Sequence, residues 1–422
     1  MAQRHRWLAA VSVLSAAVGA GLVVTSASAA PSGTATDHRV PVRAVKASEI
    51  QSKITELLRQ SKIHHLASKP GALALQDCFT QEVNPSVTTT RIAGADRYET
   101  SVCVSLGTWP AHDDPVPIEE KAQAVVLARG DGFPDALAGG PLATFKHGPL
   151  LLTRPNALPS VVLTEIHRIL ASGGTIYLLG GTGAISDAVK NQLTTDGYNV
   201  TRVSGADRYA TAVEIAKLLP AGTSIFIFAT GRNFPDGLAA GDAAAMFSFF
   251  ASQDPTFPAM AVLLTNDKVM PQVTANYLNT FPPEEVLPFT AGGQADAAAV
   301  SFFGPLPAEL RFVGQNRYET ATKIAGSFFT DPQGGALQGA GVGLTTGVNF
   351  PDALSATANL ALFAEPLLLT QPTALNPTTA AFLTNHAGEH DPFFPTAFLD
   401  VFGGTTAVSN GVKNAATAAY TP

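Results

Sequence analysis

Six arginines recur at matched positions along the chain. Arg91 and Arg97 lie in the run Arg91-Ile-Ala-Gly-Ala-Asp-Arg-Tyr98, which returns as Arg202-Val-Ser-Gly-Ala-Asp-Arg-Tyr209 and again as Arg311-Phe-Val-Gly-Gln-Asn-Arg-Tyr318. A guanidinium offers a planar fork of donors that matches a phosphate or carboxylate with two parallel hydrogen bonds. Arg97, Arg208 and Arg317 each follow a residue suited to capping a helix. Capping does not require an arginine there, and the positive end of a helix disfavours one. Free backbone N–H groups at a helix start would add donors to a bound anion. Structural ion pairs with acids of the same or a neighbouring repeat are an equally open reading. The two are compatible if the pairs line a groove at repeat junctions.

Three carboxylates recur in the same way, in Phe133-Pro134-Asp135, Phe234-Pro235-Asp236 and Phe350-Pro351-Asp352. With Asn233 or Asn349 in front, the pattern reads as an Asn cap, a Pro in the first helical turn and an Asp against the positive helix end. That structural reading explains Asp135, Asp236 and Asp352 well; ligand contact is the functional reading, ahead of any catalytic role. Catalytic constellations are missing. There is no Gly-x-Ser-x-Gly, His386-x-x-x-His390 lacks the Glu arrangement of a zinc protease helix, His64-His65 stand alone, and no Cys/His metal cluster occurs. The Gly-Gly turns at 180, 292 and 403 resemble phosphate-cradling loops but lack the Gly-x-Gly-x-x-Gly fingerprint, so close strand-to-helix packing explains them better. We therefore expect no enzyme activity, no cofactor and no metal.

The elements that must position these residues follow from the same repetition. Pro149-Leu-Leu-Leu-Thr153 returns as Ala261-Val-Leu-Leu-Thr265 and Pro366-Leu-Leu-Leu-Thr370, in the same order relative to the other landmarks. The Arg runs are spaced by 111 and 109 residues. Continuous apolar strands alternating with helices predict parallel sheets covered on both faces. Each copy thus reads as a small doubly wound α/β module whose landmarks fall at strand C-terminal ends, where open parallel sheets place their binding crevices. Ser48 with Gln51 and an apolar stripe through Ile50, Ile54, Leu57, Leu58 and Leu66 predict one further helix before the repeats.

Composition narrows the function. The 422 residues are 46% hydrophobic and 14% charged, enough apolar content for buried cores and too little charge for a disordered chain. The net charge of −7 gives no basic excess to drive nucleic-acid binding. Arg4, His5 and Arg6, an apolar run from Trp7 to Val24 and Ala27-Ser28-Ala29 read as an export signal cleaved after Ala29; an uncleaved membrane anchor is the rival reading. The mature chain would then be exported and not an integral membrane protein. Residues 30–69 carry seven basic and three acidic side chains, so a basic arm precedes a body of charge −13. The two cysteines, Cys78 and Cys103, would meet an oxidising environment; a disulfide and a pair of buried thiols are both open.

The ordered motifs closely resemble the type 2 cell-wall-binding repeat of Gram-positive bacteria over about residues 88–422. The resemblance implies three Rossmann-like modules around a pseudo-threefold axis. It also implies a secreted, wall-associated protein held non-covalently on an anionic, teichoic-acid-like polymer. The expected organisation is a signal peptide over 1–29, a leader with one amphipathic helix over 30–87, and modules over 88–197, 198–307 and 308–422. The expected ligand contacts are Arg97, Arg208 and Arg317, with Arg91, Arg202, Arg311, Asp135, Asp236 and Asp352. A wall-associated hydrolase, or an adhesion or assembly protein with a protein partner, is the alternative. The copies are unequal: the second has Gly292-Gly293-Gln-Ala-Asp in place of Gly-Gly-Thr, the third has Gln315-Asn316 for Ala-Asp, and the first has Gly132 where the others have Asn. Unequal binding by the three copies is expected, with the second in most doubt.

Overall fold

The computed structural model describes residues 78–220, 222–331, 335–390 and 396–422. The export signal of residues 1–29 and the helix expected before the repeats lie outside the described residues. Contacts divide the chain into Met1–Arg39 and Val40–Pro422, and every described residue belongs to the second unit.

Two strands, β1 (Phe79–Val83) and β2 (Val87–Ile92), lead into helix α1 (Arg97–Leu106). Repeat 1 continues with β3 (Ala124–Arg129), α2 (Pro134–Leu137), α3 (Gly139–Phe145), β4 (Leu150–Thr153), α4 (Ser160–Ile169), β5 (Thr175–Leu179) and α5 (Asp187–Thr195). Repeat 2 comprises β6 (Asn199–Val203), α6 (Arg208–Ala216), β7 (Ile225–Thr230), α7 (Pro235–Gln253), β8 (Met260–Thr265), α8 (Gln272–Leu278), β9 (Leu287–Ala291) and α9 (Gly293–Phe303). Repeat 3 comprises β10 (Arg311–Phe312), α10 (Arg317–Phe328), β11 (Gly341–Thr346), α11 (Pro351–Phe363), β12 (Leu367–Thr370), α12 (Pro377–Asn385), β13 (Ala397–Phe402) and α13 (Asn410–Tyr420).

Three sheets result, ordered β4-β3-β5-β6, β8-β7-β9-β10 and β12-β11-β13-β2-β1. All pairings are parallel except the β1–β2 hairpin at the edge of the third. The strands β7, β8, β11 and β12 are buried along their whole length, which accounts for their largely apolar sequences, each closed by a Thr. The α/β class and the parallel sheets are as the strand and helix patterns predict.

The sheets are displaced from the repeats as spaced in sequence. The Arg-bearing strand that opens each unit does not begin its own sheet but joins the sheet of the preceding repeat. Arg202 pairs in register with Leu178, Arg311 with Thr290, and Arg91 with Val401. The helix that follows then packs on the next sheet, α1 against β4, α6 against β8 and α10 against β12. Each strand–helix pair therefore ties two sheets together. The glycine between them permits the crossing: a Cβ at Gly94 would sit 2.5 Å from Glu99 Cβ. Because β2 inserts beside β13, the first repeat closes on the third.

The Phe-Pro-Asp helices meet in the middle. Helix α7 is buried from Gly237 to Ala251, and α11 from Ala353 to Phe363. A helix that is apolar on every face has to be enclosed; these two enclose one another together with α3. Repeat 1 breaks its helix at Ala138, just before Gly139-Gly140-Pro141. Pro141 lacks the N–H that would bond back to Leu137. Thr144 Oγ1 donates to the Ala245 carbonyl at 2.8 Å, and Asn359 Nδ2 donates to Thr108 Oγ1 at 2.7 Å, so polar bonds cross between repeats inside this core. A disulfide joins Cys78 to Cys103, fastening the start of the β1–β2 hairpin to α1.

Candidate functional site

Capping fixes where each Arg-bearing helix begins. Asp96 Oδ1 accepts from the N–H groups of Tyr98 and Glu99 at 2.9 and 3.0 Å, and Glu99 Oε2 accepts from the Ala95 N–H at 3.0 Å. Asn316 and Glu319 repeat this reciprocal arrangement at α10. At α6, where Ala210 replaces the Glu, Asp207 accepts only from the Ala210 N–H. Arg97, Arg208 and Arg317 are thereby held as the first residue of a helix docked on the next sheet.

Their guanidinium groups do the same thing three times. Arg97 Nη1 donates to the Gly130 carbonyl at 2.6 Å, Arg208 Nη1 to Gly231 at 2.5 Å, and Arg317 Nη1 to Gly347. Each guanidinium also lies over the Phe ring of the preceding repeat in the cycle: Arg97 over Phe350 at 6.0 Å, Arg208 over Phe133 and Arg317 over Phe234, both at 5.9 Å. Phe133, Phe234 and Phe350 form a triangle with centroid separations of 5.7, 5.7 and 5.6 Å. That near-equilateral cluster marks a pseudo-threefold axis, ringed by the three arginines. None of the three makes a direct ion pair among the described residues, and all three remain partly exposed.

The carboxylates complete the junctions. Asp135 is hydrogen-bonded to Thr211, Asp236 to Thr320 and Asp352 to Thr100, each time across a repeat boundary. Burial pushes all three carboxyls above the ordinary carboxylate range, opposed by those threonines and by Arg208, Arg317 and Arg97 respectively. The same threonine oxygens accept from the N–H groups of Gly205, Gly314 and Gly94. Sequence reasoning missed these threonines as a junction element. Their signal is present in the spacing Tyr98-x-Thr100, Tyr209-x-Thr211 and Tyr318-x-Thr320.

One local expectation is corrected. Asn233 and Asn349 do not cap their helices; each side chain accepts only from the next N–H, and Phe234 and Phe350 occupy the cap positions. The Gly-Gly turns are shaped by an acid: Gly180, Gly292 and Gly403 have φ of +92°, +81° and +99°, and a Cβ there would lie 2.4, 2.0 and 2.4 Å from Asp135, Asp236 and Asp352 Oδ2. Close approach of the Phe-Pro-Asp helix sets these glycines, in line with the close-packing reading of the sequence.

The strand arginines each find partners within the chain, Arg311 at the surface. Arg91 is buried, with donors on the Gly403 carbonyl at 2.7 Å and Asn410 Oδ1 at 3.3 Å, and burial lowers its pKa. Arg202 donates to the Gly180 carbonyl and to Asp187. Arg311 turns instead to Asp296, gripping it with two bonds of 2.7 Å. The structure thus separates two sets that looked alike in sequence: the strand set braces the Gly-Gly turns and helices behind them, and the helix set faces the axis.

A cleft of about 590 Å³ opens where repeat 1 meets repeat 3, at the C-terminal ends of β11 and β13. Arg97 and Asp96 line it from repeat 1, and Asp352, Asn349, Val348 and Thr346 from repeat 3. Thr405 and Thr406, both exposed, form its outer wall, with Pro351 and Pro372 beside them. The lining combines one guanidinium with two carboxylates, Asp96 engaged in capping α1 and Asp352 hydrogen-bonded to Thr100, and with one amide, several hydroxyls and small apolar faces. The Arg97 guanidinium is the group there able to take an anionic group of a saccharide. The lining includes no His, Cys or Ser. No described helix is long and apolar enough to cross a membrane.

Comparison with known proteins agrees with this architecture. Residues 91–190, 202–296 and 311–413 match the family described as cell wall binding domain 2 (CWB2). The N-acetylmuramoyl-L-alanine amidase LytC of Bacillus subtilis (strain 168) is 25% identical over 324 residues, covering 77% of this chain and 57% of the relative. The amidase enhancer of the same organism is 26% identical over 326 residues, covering 77% and 40%. The chain thus spans about half the length of these curated relatives. Among solved structures, Cwp8 from Clostridium difficile superposes with a TM-score of 0.63 at 21% identity, over 80% of this chain and 52% of that one. Cwp6 from the same organism gives 0.64 at 20% identity, over 82% and 52%. Both share the fold.

Proposed function

This chain belongs to the cell wall binding domain 2 family, and from that membership we propose that it is exported and attaches non-covalently to an anionic polymer of the bacterial cell wall through its ring of three repeats. The observation that carries this reading is the cleft between repeats 1 and 3, where Arg97 stands among hydroxyl and amide groups at strand C-terminal ends, with Asp96 tied to the α1 cap and Asp352 hydrogen-bonded to Thr100. Arg97 has one N–H on a carbonyl and no direct carboxylate partner among the described residues, so further donors are available to an anion. The ring of Arg97, Arg208 and Arg317 supplies cations locally, which the acidic body as a whole does not. Attraction over longer range contributes little, because charges beyond about 8 Å are screened at physiological ionic strength. Amidase and amidase-enhancing activities belong by name to the relatives; the cleft here supports binding.

Sedimentation with purified walls tests the proposal. The protein pellets with intact Gram-positive walls, is released by molar salt, and fails to pellet with walls stripped of anionic polymer. Changing Arg97, Arg208 and Arg317 together to Ala abolishes pelleting while the far-UV circular dichroism is kept. Undiminished pelleting on stripped walls would refute the anionic ligand, and hydrolysis of labelled peptidoglycan would favour an enzyme.

A further inference from the structure

The three junctions follow one plan but are not equally open. The strands β3, β7 and β11 end at Arg129, Thr230 and Thr346, and two residues on stand Asp131, Arg232 and Val348. At the junction of repeats 3 and 1, Thr346 and Val348 line the cleft, and Thr346 Oγ1 merely accepts from the Val348 N–H at 3.2 Å. At the junction of repeats 1 and 2 the same positions hold an ion pair. Arg129 Nε bonds Asp131 Oδ1 at 2.8 Å, and Arg129 Nη1 points across to the Gly183 carbonyl at 3.4 Å. Gly183 lies in the loop after Gly180-Gly181, the counterpart of the Thr405-Thr406 wall.

A third departure of repeat 1 belongs to the same device. Where repeats 2 and 3 carry Asn233 and Asn349, repeat 1 carries Gly132, and a Cβ there would lie 3.0 Å from Arg129 Nε and 3.2 Å from Cδ. Gly132 therefore makes room for the Arg129 side chain as it crosses. Three departures from the repeat pattern, at 129, 131 and 132, serve one bridge. The junction of repeats 2 and 3 differs in another way. Its Gly-Gly turn runs straight into α9 at Gly293, whereas Gly404 to Ser409 form a loop before α13, so the outer wall of the cleft has no counterpart. There Thr230 Oγ1 donates to Asp267.

We propose that this protein holds its ligand, a saccharide bearing a phosphate or carboxylate, at one junction only, between repeats 1 and 3, and that the Arg129–Asp131 bridge seals the equivalent cleft between repeats 1 and 2. The inference rests on the wall-binding reading above and sets its valency at one per chain. A cation already paired with its own acid has no free charge to offer an incoming anion, and its side chain fills the volume that Thr346 and Val348 leave open. Asp131 also faces Arg97. Removing it changes affinity at the open cleft as well, so the number of sites, not the affinity, is the deciding quantity.

Titration calorimetry on the full chain measures that number, with two probes: a short synthetic poly(glycerol phosphate) and an oligogalacturonate, which separate phosphate from carboxylate recognition. Wild-type protein binds one equivalent of the preferred probe. The opening variant R129T/D131V/G132N binds two. The reciprocal graft T346R/V348D/N349G, which moves the bridge into the open junction, weakens binding at least tenfold, with thermal unfolding confirming a folded chain. Two or three equivalents in the wild type would overturn the inference, as would unweakened binding by the folded graft, which would place the ligand elsewhere, for instance beside the exposed Arg232. One equivalent in a folded opening variant would overturn the sealing role while leaving wall binding intact. Wild-type protein that pellets with walls yet binds neither probe would overturn the ligand class, and the inference with it.

Discussion

Replacing Asp400 by Asn should make the protein more stable, and increasingly so as pH rises. Asp400 lies on β13, flanked by β11 and β2, and is only 4% exposed. Glu365, just before β12, and Asp242 on α7 are also fully buried, and their charges interact with one another. Both Glu365 oxygens and Asp242 Oδ1 lack a hydrogen-bond partner among the described residues, while Asp242 Oδ2 accepts from the Leu367 N–H. Burial raises the Asp400 carboxyl to about 7, partly opposed by a hydrogen bond from Thr90, and it raises Asp242 and Glu365 well above the usual carboxylate range. A carboxyl whose pKa is raised on folding binds more protons in the native state than in the unfolded one. Stability is therefore lost as pH rises from about 4, where the unfolded group titrates, to about 7, and the loss is complete above that. A rise of about three units corresponds to about 4 kcal/mol. Asn keeps an oxygen for Thr90 and does not ionise. Urea denaturation followed by circular dichroism should give wild type and D400N similar stabilities at pH 4, and an advantage for D400N of about 4 kcal/mol at pH 8. Parallel pH profiles, or a less stable variant at pH 8, would refute the claim that Asp400 carries a buried charge at neutral pH.

Three further outcomes test how the ring is closed. Changing Cys78 and Cys103 together to Ser should cost about 3 kcal/mol, the chain-entropy value for a closed loop of this size, and reductant should shift wild-type unfolding by the same amount. Thr100→Val should cost about 1–3 kcal/mol in urea denaturation, because it leaves the buried Asp352 carboxyl and the Gly94 N–H without their shared partner. The equivalent change at Thr211 should behave alike, since Asp135 and Gly205 depend on it in the same way.

Much of this architecture is legible in the residues themselves. The repeated landmarks give the count and order of the units, unbroken apolar runs such as Phe226 to Ala229 give parallel strands, and the Asp96–Glu99 pair gives a helix start down to its hydrogen bonds. Asp207 with Ala210 even shows where half of that cap is missing. These are short-range signals, written in neighbours along the chain. The strand arginines and the helix arginines, by contrast, recur six residues apart and read alike as anion ligands. Only the packing shows that Arg91 and Arg202 brace Gly-Gly turns of another repeat while Arg97 and Arg208 face the axis. Three copies of one motif carry three copies of one local signal, and such a signal cannot specify which of three similar sheets takes a given strand. Chain closure decides that, and with it the Phe133–Phe234–Phe350 triangle, the acids of one repeat set against the threonines of the next, and the junction left open. The buried trio of Asp242, Glu365 and Asp400 is invisible in sequence for the same reason: its members come from different elements and share no spacing. Charges interact through space, and only the folded chain makes these three neighbours.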